Sequence, residues 1–375
     1  MPEASDAWAA AHRVLCVRLD NLGDVLMTTP ALRALKESGG RRELTLLTSS
    51  TSAPLAAHLS FVDAVWRYDA PWVKQSGTDT PCAADLETIS RLAAARFDAA
   101  VIFTVYSQSA LPAALMCRLA GIPLRLAHSR ENPYQLLSDW VPETEPAMQV
   151  RHEVRRQLDL VQTIGAHAGD ERLAFHVRDA DRAALARWLP ADGTPLVVIH
   201  PGASAPSRRW PVERFAMAAD ALRRSRTVVI AVTGSANETG LVEQVRAAAG
   251  SDTLPLPDTL SIGELGALLE SADLLISNNS GPVHVAAALG TPVVDLYALT
   301  NPQHTPWRVA HRTLNVDVPC KYCYKSICPQ GHHACLSGVS VETVLAAADA
   351  LLDERHGDVM TLTECGAAAW RRQHP

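Results

Sequence analysis

A chain of 375 residues, 47% hydrophobic and 20% charged, carries apolar material for two cores rather than one and cannot be largely disordered. Its 34 Lys and Arg against 40 Asp and Glu give a formal net charge of -6, so no global field draws nucleic acid and any anionic ligand falls to local groups. Residues 1–12 lack a basic segment followed by an apolar stretch, and the longest apolar runs, such as 99–105, are of strand length, so a cytoplasmic protein without signal or membrane span is expected.

The apolar run 13–19 predicts a strand, and 24–36, with apolar positions at helical spacing, a helix. Runs at 43–47, 64–68 and 99–103 predict further strands, with helices over 86–95 and 109–119. Such alternation implies a parallel, doubly wound α/β sheet. After a helix over 152–164, the stretch 165–195 is richer in charge, Gly and Pro, which puts the domain join there and divides the chain into 1–165 and 166–375. The pattern then restarts with strand 196–200, helix 211–223, strand 227–232 and helix 238–248. Helix 262–271, strand 274–277, helix 282–289 and strand 293–297 follow. Two such domains are expected to face a central cleft, with ligands at the carboxyl ends of the strands.

Four segments at those strand ends carry chemistry. The first, R-L-D-N-L-G-D-V-L-M-T-T-P over residues 18–30, sets Asp24 where strand gives way to helix. An Asp there is read either as a helix cap or as a general base for an acceptor hydroxyl. Thr28 and Thr29 read as packing or helix-internal hydrogen bonds. The second, H-P-G-A-S-A-P-S-R-R-W-P over 200–211, combines a small-residue turn with Ser204, Arg208 and Arg209. Small residues let a backbone approach a phosphate and an arginine can clamp it, although a plain loop with solvated arginines has the same composition. The third, T-G-S-A-N-E over 233–238, ends in Glu238, which can cap the following helix or accept from a ribose diol. The fourth, S-N-N-S-G-P-V-H-V-A-A-A-L-G-T-P over 277–292, presents Asn279, Ser280 and Gly281 at a helix start with His284 one turn in. A helix N-terminus with free N–H groups is an anion site, so a pyrophosphate is preferred there over a purely structural histidine.

In this order the segments L-G-D-V-L…T-P-A-L-R-A-L-K, H-P-G-A-S…R-W-P and N-S-G-P-x-H-x-A-A-A-L-G-x-P resemble the family 9 glycosyltransferases, the ADP-heptose:lipopolysaccharide heptosyltransferases, from Arg18 to about Leu352. The resemblance implies a GT-B fold, inversion at the anomeric centre, and neither metal nor cofactor. It implies Asp24 as base, and Ser204, Arg208, Glu238, Asn279, Ser280, Gly281 and His284 lining the donor site. The implied partners are a nucleotide-sugar donor, ADP-heptose, bound by the C-terminal domain, and a lipopolysaccharide core acceptor at the inner membrane surface, bound by the N-terminal domain; the last helix would pack back on the latter. No nucleic acid is expected. Asn279 departs from the Asp of many members, and Arg208 with Arg209 from a single Lys, Arg208 being the chosen phosphate ligand. Alternatives within the same reading are another nucleotide sugar, a sugar-nucleotide epimerase on the same fold, or a binding protein without catalysis.

Two further features stay open. Arg125 and His128, within 118–130, could meet acidic sugars or phosphates of the acceptor, or be solvated surface charge. Cys320, Cys323, Cys328 and Cys335, spaced C-x2-C-x4-C-x6-C with His332 and His333 between, could hold a structural metal or form a loop of reduced, partly buried thiols.

Overall fold

Runs of Val, Leu, Ile and Ala make strands that are buried on both faces, which suits parallel sheets covered by helices on either side. The computed structural model describes residues 4–73, 82–190, 192–250, 253–254, 256 and 260–355, and the chain divides into two compact units between His176 and Val177. No described helix is long and apolar enough to cross a membrane.

The first unit runs α1 (Ala4–Ala9), β1 (Arg13–Val17), α2 (Leu22–Glu37), β2 (Glu43–Thr48), β3 (Ala64–Arg67), α3 (Cys82–Ala95), β4 (Ala99–Ile102), α4 (Leu111–Leu119), β5 (Leu124–Ser129), β6 (Asp139–Pro142) and α5 (Glu153–Gln162). Its parallel sheet has the order β3-β2-β1-β4-β5-β6, so the winding reverses between β1 and β4. Val17 lies opposite Ile102 in that pair, which brings the segments leaving β1 and β4 side by side. Leu15, Val17, Leu92, Ile102, Cys117 and Ile122 form part of the core beneath.

The second unit runs α6 (Asp179–Leu185), β7 (Leu196–His200), α7 (Val212–Ser225), β8 (Val229–Val232), α8 (Thr239–Ala249), α9 (Ile262–Ser271), β9 (Leu274–Asn278), α10 (Gly281–Leu289), β10 (Val293–Leu296), β11 (His311–Leu314), α11 (Ala334–Ser337) and a helix over 341–355, α12. Its sheet order is β11-β10-β9-β7-β8, reversing between β7 and β9, where His200 lies opposite Ser277. Ile199, Phe215, Leu222, Ile276 and Leu296 pack with Val344 and Leu351 of α12 in one core.

The structure places three of these segments as follows. The join falls after residue 176 rather than 165, because the intervening segment is fastened to the first unit. The Ala174 N–H donates to Thr29 Oγ1 at 2.9 Å, and Phe175 stacks on His58 at 4.5 Å between ring centroids. The last described helix, α12, is part of the second unit's own core; residues beyond 355 lie outside the described residues. Arg125 and His128 are not solvated charge: they lie on β5, 8% and 4% exposed. Arg125 spends its guanidinium on the carbonyls of Ile122, Pro123, Gln135 and Leu136, which lets a charged side chain be buried.

Candidate functional site

In open α/β sheets a ligand sits at the carboxyl edge where the winding reverses, because the loops there part and leave a crevice. Each unit places candidate residues at that edge.

In the first unit the edge is organised by one buried cation. Arg18, at 0% exposed, follows β1 and still donates its backbone N–H to Leu47 O at 2.9 Å. Its Nε lies 2.9 Å from Asp20 Oδ2, its Nη1 donates to Glu153 Oε1 at 2.9 Å, and its Nη2 lies 3.3 Å from Asp24 Oδ1. Burial works against the guanidinium charge, but Asp20, Glu153 and Asp24 outweigh it and hold the group protonated. Asp24 is not the cap of α2. The N-cap is Asn21, and Asp24 sits within the first turn with its N–H bonded to Asn21 O at 3.0 Å. Of the three carboxylate side chains Asp24 is 14% exposed, against 6% for Asp20 and 0% for Glu153, so it is the one that reaches solvent. Burial lifts the Asp20 carboxyl to about 6; Arg18 opposes this, Asp24 adds to it, and the Gln108 amide, donating at 2.6 Å, opposes it again. Thr28 and Thr29 are structural, their hydroxyls donating to Asp24 O at 2.8 Å and Leu26 O at 2.6 Å.

In the second unit the edge is organised by backbone clips. Asn278 at the end of β9 accepts the Trp210 N–H at 2.8 Å and donates to Pro201 O at 2.7 Å, tying the loop after β7 to the start of α10. Ser204 is exposed on that loop. Arg209 donates its Nε to Ala203 O at 2.7 Å, whereas the buried Nε of Arg208 has no hydrogen-bond partner. The structure thus separates two adjacent arginines that the sequence leaves equivalent. Ser280 is the N-cap of α10, Gly281 its first residue, and the Ser280 Oγ is buried without a partner. His284, 3% exposed, follows in the first turns of the same helix.

Glu238 and Asn279 reach this edge with bonds already made. Glu238 stands at the N-cap position of α8 but makes no side-chain capping bond to it; its Oε2 instead accepts from Ser235 N at 2.9 Å and Ser235 Oγ at 2.8 Å, closing the short turn Ala236–Glu238. Its carboxylate also lies where a Cβ on Gly202 would fall, 2.2 Å from Oε1, so a side chain at 202 would displace it. Asn279 donates its amide to both oxygens of Asp295, at 3.3 and 3.2 Å, and to His304 O at 2.9 Å. Burial raises the Asp295 carboxyl well above its ordinary range, and the Asn279 bond offsets only part of that.

The cysteine segment lies beside the same loop. Ser207 receives it at two points, its N–H donating to Ser326 O at 3.1 Å and its Oγ to Lys325 O at 2.8 Å. Cys320, Cys323, Cys328 and Cys335 are free, partly buried thiols that line one small cavity with His332 and His333. Burial raises the Cys328 thiol, but the backbone N–H groups of His333, Gln330, Gly331 and His332 together outweigh it and hold the group below its ordinary range. Among the described residues no group of three or more His, Cys, Asp or Glu is arranged to hold a metal ion.

The sequence reading missed Arg18, Asp20, Gln108 and Glu153. A signal for the first two was present, two charges alternating at the end of an apolar strand immediately before Asp24. None marked Gln108, which is 88 positions from its partner.

The model of the family described as glycosyltransferase family 9 (heptosyltransferase) matches residues 87–334. Lipopolysaccharide heptosyltransferase 3 of Escherichia coli strain K12 is 27% identical over 294 residues, 76% of this chain and 82% of that protein. Among solved structures, the glycosyl transferase family 9 protein from Veillonella parvula DSM 2008 superposes with a TM-score of 0.77 at 22% identity, covering 92% of this chain and 98% of that one. The E. coli ADP-heptose lps heptosyltransferase II superposes with a TM-score of 0.72 at 21% identity, covering 92% and 99%.

Proposed function

This chain belongs to glycosyltransferase family 9 (heptosyltransferase) and has the GT-B fold of two Rossmann-like domains, and from that premise we propose that it transfers heptose from ADP-heptose to a lipopolysaccharide core acceptor, with inversion and without a metal. The observation that carries the reading is the set of unspent donors at the second unit's edge: the Arg208 Nε, the Ser280 Oγ and the N-terminus of α10. A leaving diphosphate gains negative charge as its bond to the anomeric carbon breaks, and fixed donors stabilise that charge without rearranging. Arg208, Ser204, Ser280, Gly281 and His284 hold the diphosphate in this reading, and Glu238, held by Ser235 beside Gly202, takes a ribose hydroxyl. Asn279 orients the edge through Asp295 and His304. The acceptor hydroxyl attacks the anomeric carbon, and its proton passes to the Asp24 carboxylate, the most exposed of the three around Arg18.

The relatives named above as heptosyltransferases support the choice of sugar, and the name of the second solved structure supports ADP-heptose as donor. The test is product mass after incubating the purified protein with a panel of nucleotide sugars and truncated lipopolysaccharide, with and without excess EDTA. Heptosyl transfer from ADP-heptose at an unchanged initial rate in EDTA is the expected result. A rapid loss of rate restored by magnesium or manganese would overturn the metal-free mechanism, and transfer only from a different nucleotide sugar would overturn the donor.

A further inference from the structure

The first unit carries a pocket of about 260 Å³ that the chemistry assigned to Asp24 does not use. It opens at the carboxyl ends of β1 and β4, where the winding of that sheet reverses. Its lining is mixed: Leu19, Ile102, Phe103 and Pro112 are apolar, and Asp20 and Gln108, with the serines beside Gln108, are polar. Trp72 stands at its margin, 36% exposed, its ring tilted against Tyr68 at 5.7 Å between centroids. A lining of this mixed kind, with an aromatic ring, a carboxylate and an amide, matches a pyranose, whose C–H face is apolar and whose edge is a row of hydroxyls.

Charge narrows the choice. Among the described residues that line the pocket there is no Lys, Arg or His, and one carboxylate. Arg18, which meets Asp20 at 2.9 Å, is fully buried and shared with Asp24 and Glu153. A carboxylate or phosphate entering here would lose its hydration and meet Asp20 with no cation to compensate.

We propose that this pocket binds an uncharged, polyhydroxylated sugar ring of the acceptor, stacked on Trp72 and hydrogen-bonded by the Asp20–Gln108 pair. The assignment rests on the transferase reading above and adds to it a selection of neutral over acidic acceptor sugars. Gln108 Nε2 already donates to Asp20 Oδ1 at 2.6 Å, so the pair is set before the sugar arrives.

The experiment is steady-state kinetics on the full chain with two core oligosaccharides, one ending in a heptose and one ending in a carboxylate-bearing sugar. It compares the wild type with Trp72→Ala, Trp72→Phe and Gln108→Ala. Trp72→Ala should raise the acceptor KM about tenfold, the effect of losing one good contact, with kcat and donor KM unchanged. Trp72→Phe should restore most of the loss, which a merely structural role at this exposed position would not require. The heptose-ended acceptor should be the substrate. Unchanged acceptor KM in both alanine variants would overturn the proposal, as would transfer by the wild type to the acidic acceptor alone, and both results leave the transferase reading standing. Transfer to neither acceptor, from any donor, would overturn the transferase reading and this assignment with it.

Discussion

At the carboxyl ends of β1 and β4 three carboxylates, Asp20, Asp24 and Glu153, share the one guanidinium of Arg18. At the carboxyl ends of β7 and β9 the buried groups with unused hydrogen-bonding capacity include the Arg208 Nε and the Ser280 hydroxyl, both able to donate, beside the start of α10. Both edges are reversal points of a parallel sheet, where the loops part and leave a crevice. What the ligand is depends on the few side chains that leave the strands. Surplus carboxylate suits the removal of a proton, and surplus donors suit the binding of an anion. In the proposed reaction the same architecture would serve opposite halves of one displacement.

The comparison breaks most sharply at Asp24. Asp24→Ala should lower turnover by about 10²–10⁴-fold, the usual reach of a general base, with the fold intact. Near-normal turnover in a folded variant, measured under saturating donor and acceptor, would remove the proton-accepting role from this edge.

A smaller effect sharpens the account of burial in the first unit. His128 on β5 is held neutral down to about pH 4, first by burial and then by the Arg156 charge. In the unfolded chain it takes up a proton near pH 6.5. Its contribution to stability is therefore present above pH 6.5 and lost as pH falls towards 4. His128→Asn should flatten the loss over that window by on the order of 2 kcal/mol, read from urea melts at several pH values. Asp20 works in the other sense: its raised carboxyl contributes stability below about pH 4, lost as pH rises through 6, so Asp20→Asn should steepen the acid loss. Identical pH slopes for wild type and both variants would contradict the buried-charge account.

The fold was legible because strands such as 196–200 are uninterrupted apolar runs bounded by turn residues, and β7 matches that run residue for residue. β5 was not legible: L-R-L-A-H-S reads as surface charge until four carbonyls are brought to Arg125 by the turns around it. The site divides the same way. Asp24, Ser280 and Gly281 stand in local segments whose strand-to-helix geometry is written in the adjacent residues. The three-carboxylate cluster was not, because Glu153 is 135 positions from Arg18 and only folding makes them neighbours. Arg208 and Arg209 differ in that Arg209 finds the Ala203 carbonyl, a detail of backbone path that two adjacent identical residues cannot encode.

The division of labour is tested most directly by titration calorimetry of ADP into the wild type, Arg208→Ala and Asp24→Ala. Removing a hydrogen bond to a charged group costs about 1.5–3 kcal/mol, so Arg208→Ala should weaken ADP about 10- to 100-fold, while Asp24→Ala binds it as the wild type does. Unchanged affinity in Arg208→Ala, or an equal loss in Asp24→Ala, would contradict the assignment of anion binding to the second unit and proton removal to the first.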